Sequence, residues 1–148
     1  MINKCLSFLL ACATSFAAHA ESTSLKVSIA ATADDLVGGR LVYAIKEGVR
    51  RSAGMQLVNR VQDGLIQVKI VTLDPDKDNK SGSRTIYSVV WTLQTFHNPP
   101  VTMYLTNSVG FCGSARVAQC ADGLVADTDA QVSEVRGWIE SAMEGMKE

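Results

Sequence analysis

Three patterns predict a two-layer α/β (α+β) sandwich, with a mostly antiparallel sheet of about five strands and two helices packed on one face. Segments 25–29, 65–73, 86–96 and 101–109 alternate apolar with polar residues, the period of a half-buried strand. The segments following Asp34 and Ser114 instead repeat apolar residues every three or four positions, the period of an amphipathic helix. Their order, β-α-β-β-β-β-α, suits one sheet covered by one layer of helices.

The elements begin after an export signal. Lys4 supplies a positive start, 5–18 is an apolar run, and Ala18-His19-Ala20 is the small-x-small pattern that signal peptidase recognises. Cleavage after Ala20 leaves 21–148 as one globular domain in an oxidising compartment, the periplasm or the exterior. Leu9-Leu10-Ala11-Cys12 also resembles a lipoprotein cleavage box, so anchoring through an acylated Cys12 stays as the alternative.

The first strand is Leu25-Lys26-Val27-Ser28-Ile29, followed by a helix capped by Thr32 or Asp34. Within that helix Val37, Leu41, Ile45 and Val49 draw one apolar stripe, with Ala44 and Gly48 beside it for close approach. Gly38-Gly39 lowers helix propensity, which points to tight packing or a late start. Arg50 and Arg51 suit the last turn and Gly54 the stop.

A short strand over 55–59 and an Asp63-Gly64 turn come next. Then 65–73 places Ile66, Val68 and Ile70 on one face with Gln67 and Lys69 on the other, and 86–96 turns Tyr87, Val89, Trp91 and Leu93 inward. The same alternation in 101–109 turns Val101, Met103, Leu105 and Val109 inward, with Thr102, Tyr104, Thr106 and Ser108 outward. These three read as an antiparallel meander whose outer face is polar and rich in Ser and Thr. Exposed edges at 55–59 or 25–30 leave dimerisation open.

In the C-terminal helix, with Ser114 as cap and a kink at Asp122-Gly123, one face carries Val117, Ala121, Leu124, Thr128, Val132, Val135, Ile139 and Ala142. Outside the signal only Cys112 and Cys120 remain, an even pair in an exported chain, and they read as a disulfide stapling the last strand to the helix start.

The run 37–59, with its amphipathic helix, Arg50-Arg51-Ser52, a Gly turn and then Met55-Gln56-Leu57-Val58-Asn59-Arg60, resembles the first helix and second strand of TolB amino-terminal domains. It is similar there to the periplasmic domains of the CsgG and LpoB lipoproteins. The resemblance spans the post-signal chain in element order and about twenty-five residues in pattern. It implies a non-catalytic adaptor of the bacterial envelope. The chain departs from TolB in its cysteine pair and in lacking the propeller, and no functional residue carries across.

Composition narrows the function classes. A net charge of −1 and no basic patch argue against nucleic acid, and no later segment has the length of a membrane span. After the signal one histidine remains, His97, in a proline turn and without a metal-spaced partner. No Gly-x-Ser-x-Gly elbow is present. Asp74, Asp76 and Asp78 imitate a calcium loop, but Asn79 stands where the loop needs Gly and Thr85 where it needs Glu. We therefore expect no cofactor and no metal.

The expectation is an exported, non-enzymatic accessory protein that binds another envelope protein. Phe96, His97, Pro99, Pro100 and Tyr104, around one hairpin tip, are its candidate contact patch. A secreted inhibitor or immunity-type protein acting through the 74–84 loop is the second reading, and an enzyme with a dispersed site the third.

Overall fold

A computed structural model describes residues 24–76, 82–95 and 99–147, so the signal, Cys12, Asp78, Phe96 and His97 lie outside the described residues. Five strands form one sheet, β1 (Leu25–Ala33), β2 (Met55–Val58), β3 (Ile66–Leu73), β4 (Arg84–Gln94) and β5 (Thr102–Gly113). Helix α1 (Leu36–Arg51) follows β1, and α2 (Val117–Gly145) follows β5 through a short 3-10 turn at Ser114–Arg116. The sheet is mixed and its strands lie in the order β2-β1-β3-β4-β5. β1 runs parallel to both β2 and β3, while β3-β4-β5 is the expected antiparallel meander. β1 is therefore interior, and among the described residues the two free edges are β2 and β5, which corrects the expectation of an edge at 25–30.

Both helices cover one face. The α1 stripe of Val37, Leu41, Ile45 and Val49 is buried, as is the α2 stripe from Val117 through Ala121, Leu124, Thr128 and Val132 to Val135. Under them lie Val27, Ile66, Val68, Ile70, Val89 and Trp91. Trp91 donates its indole N–H to Thr128 Oγ1 at 2.9 Å, and Thr128 in turn donates to the Leu124 carbonyl, so the one polar atom of this buried ring is satisfied. A Cβ on Gly48 would sit 2.6 Å from Val125 Cγ2, which is why the two helices approach there.

The cap of α1 is Asp35, not Thr32 or Asp34. Its carboxylate accepts the Gly38 N–H at 2.7 Å and the hydroxyls of Thr72 (2.7 Å, from β3) and Thr85 (2.9 Å, from β4). One side chain thus both caps the helix and ties it to two strands. Partial burial alone would raise its pKa, but the bonds from Gly38, Thr72, Thr85 and Val37 outweigh that and hold it below its ordinary 3.8.

Helix α2 runs unbroken through Asp122-Gly123, and Ser114 opens the 3-10 turn instead of capping the helix. Cys112 and Cys120 form the expected disulfide, with Cα atoms 6.2 Å apart. It fastens the end of β5 to the first turns of α2. No helix among the described residues is long and apolar enough to cross a membrane.

Candidate functional site

The outer face of the sheet has two unlike ends. At one end, the 3-10 turn Val61–Asp63 carries the chain from β2 across β1 to β3. Ser28 donates to the Val61 carbonyl at 3.2 Å, and Gln67 donates to the same oxygen, so both outward polar side chains are buried beneath this crossover. Gly64 is needed there because any Cβ would run into the Ser28 side chain. The crossover was not legible as a covering element from the Asp63-Gly64 turn alone.

At the other end the outer face is bare and apolar. Leu73, Ile86 and Phe111 are direct cross-strand neighbours on β3, β4 and β5, and one rung further Val71 and Val109 flank Ser88. Phe111 is 76% exposed, Val109 72%, Val71 53%, Leu73 52% and Ile86 39%. Directly opposed side chains in an antiparallel pair stand roughly 5 Å apart, so these five make one surface. Scattered exposed hydrophobes are ordinary, whereas a contiguous set on adjacent rungs is the kind of surface that contacts with other molecules use.

A β-bulge produces this arrangement. Between Trp91 and Thr92 the pairing slips: Trp91 opposes Thr106 while Thr92 opposes Tyr104, leaving Leu105 as the extra residue. Past the bulge the alternation reverses. Val109 turns outward, contrary to the expected inward face, and Thr106 and Ser108 turn inward toward α2. The slip also puts Tyr104 on the same face as Asn107, Val109 and Phe111, where an unbroken strand would have set it opposite them. The expected polar outer face is thus apolar at one end.

Of the expected hairpin-tip patch, the structure describes Pro99, Pro100 and Tyr104, all exposed, with Val101 and Met103 also exposed beside them. Tyr104 belongs to the outer face. Met103 turns the other way, into an apolar groove of about 280 Å³ between the sheet end and α2, with Leu65, Leu93, Val135, Trp138 and Ile139. A larger concavity of about 640 Å³ lies between the starts of α1 and α2, against Leu36, Arg40, Tyr43, Val117 and Ala118, with the already satisfied Asp35 at its edge. Neither brings an acid, a base and a nucleophile together.

In the 74–84 connection Asp74 accepts the Asp76 N–H, and Asp76 takes a two-pronged ion pair from Arg84, both contacts at 3.0 Å. Asp76 is therefore committed to a guanidinium and is poorly placed to ligate calcium. No cluster of metal-binding side chains occurs among the described residues.

Sequence reasoning missed Val71, Leu73, Ile86, Val109 and Phe111. A signal for the first two was present: the outward phase of the strand, polar at Gln67 and Lys69, turns apolar at Val71 and Leu73. Nothing comparable announces Val109 and Phe111, since their direction depends on the bulge. Neither a protein-family model nor a curated protein matches this chain.

Proposed function

We propose that this chain is an exported, non-enzymatic accessory module that binds another protein of the envelope through the open end of its sheet. The observation that carries the reading is the contiguous outer patch of Val71, Leu73, Ile86, Val109 and Phe111. An apolar core with a polar border suits protein recognition, and here Lys69, Asn107 and Arg84 border it on the same strands. Export is supported by the Ala18-His19-Ala20 cleavage pattern and by the Cys112–Cys120 bond, which persists in an oxidising compartment. Tyr104 adds an exposed side chain toward the hairpin, where Pro99 and Pro100 are also exposed.

Crosslinking and affinity capture of the tagged chain in its native envelope tests this, with V71D as the paired control. One dominant partner, lost with V71D while the melting curve holds, is the expected outcome. Capture that V71D leaves intact removes the patch from the interface.

A further inference from the structure

The last strand presents a second feature, its free edge. β5 ends the sheet order, so among the described residues one side of a strand of 12 residues has no strand beside it. Sheets ordinarily blunt such edges with brevity, charge or proline, because unpaired N–H and C=O groups attract another strand. The opposite edge, β2, follows that rule with 4 residues. β5 does not: Thr-Met-Tyr-Leu-Thr-Asn-Ser-Val-Gly-Phe-Cys-Gly contains no charged residue and no proline. Its one blunting device is the bulge at Leu105, which leaves the whole of 106–113 in regular register with β4.

We propose that β5 pairs antiparallel with β5 of a second copy of this chain, about a two-fold axis at Gly110, joining the two sheets into one. The uncharged strand is what favours a second copy over an unlike partner. Pairing about a two-fold sets the strand against itself, so any cluster of like charge would meet its own image, and here there is none. Register follows from parity and from the bulge. Opposed residues must share a face, which restricts the axis to whole residue positions. An axis at Val109 or earlier draws Leu105 into the pairing, whereas an axis at Gly110 confines it to 107–113. Val109 then opposes Phe111 of the second copy twice over, a β-branched residue against an aromatic, and Asn107 opposes Gly113. The exposed ends of the two apolar patches meet at the axis. This goes beyond the adaptor reading, and it stands or falls separately.

Sedimentation equilibrium of the purified, disulfide-bonded chain tests it. The expected result is a monomer–dimer equilibrium that V109K/F111K weakens by roughly tenfold or more, because two like-charged pairs replace two apolar ones. V109K/F111E sets opposite charges against each other across the same axis and should recover dimerisation to within a few-fold of the parent. V71K, on the same face but on interior β3, should leave the dimer unchanged. Both altered β5 positions are largely solvent-exposed, so melting curves should confirm that the variants fold. A chain that stays monomeric up to its solubility limit overturns the proposal, and so does a dimer indifferent to V109K/F111K. Recovery failing in V109K/F111E overturns the axis at Gly110.

Discussion

On the inner face of the sheet Val27, Ile66, Val68, Val89 and Trp91 are buried under two helices. On the outer face of the same sheet, Val71, Leu73, Val109 and Phe111 keep half or more of their surface in water. Chemically the two sets are alike, so their difference is one of cover. Burial of the inner set removes apolar area from water at roughly 25 cal/mol per Å², which supports the fold. The outer set contributes little of that kind within this chain. It is the part of the molecule that folding leaves unexplained, and the proposed contact with another surface would account for it.

Substitutions on the two faces sharpen or break this contrast. The largest effect belongs to Trp91→Ala, which empties the centre of the inner layer and removes the bond to Thr128. We expect a loss of about 3–5 kcal/mol in urea unfolding; a loss below ~1 kcal/mol would show that the inner layer is not the principal core. Reduction of Cys112–Cys120 should follow, at about 2.5 kcal/mol for a loop of this length. Thiol titration of native protein should find neither of these sulfurs free, and a reduced form as stable as the oxidised one would dissociate the staple from the fold.

Third is Asp35→Ala, which removes the α1 cap and the shared acceptor of Thr72 and Thr85, at about 1–2 kcal/mol. Because the Asp35 pKa is lowered in the folded state, its stabilisation is complete above the ordinary 3.8 and drains away as pH falls from there through the folded value. The parent and D35A should therefore differ most in melting temperature near neutrality and converge in acid. A difference that grows on acidification would contradict the assignment.

The smallest effect is expected on the outer face. Phe111→Ser should alter stability by no more than ~0.5 kcal/mol, since the ring is mostly in water already. Its consequences should appear in capture and in sedimentation instead. A loss comparable to that of Trp91→Ala would erase the distinction between the faces.

Much of the inner face was readable in advance. The α1 stripe and the inward set of β4 follow from local spacing, since a helix repeats every 3.6 residues and a strand every two, and the cysteine pair follows from being the two that remain outside the signal. The apolar outer surface is half readable: the phase change at Val71 and Leu73 is in the sequence, but strict alternation turns Val109 inward. One extra residue in a strand inverts every side chain beyond it, and whether a strand accommodates one is settled by its partner. The choice of Asp35 as the cap is hidden from the sequence for a related reason. Its neighbour Asp34 is the same residue type, and only the positions of Thr72 and Thr85 in adjacent strands select between them.

By itself, then, the sequence determined the number, type and order of the elements, the pairing of Cys112 with Cys120 and the stripes that α1 and α2 bury. These depend on periodicity and on residues near one another in the chain. Tertiary structure alone decided that β1 lies inside the sheet, that the Val61–Asp63 crossover roofs one end of the outer face, and that the bulge at Leu105 turns Val109 and Phe111 into solvent on a free edge. Each of these is a relation between strands distant in sequence, fixed by hydrogen-bond register across the sheet, and no local period encodes that register.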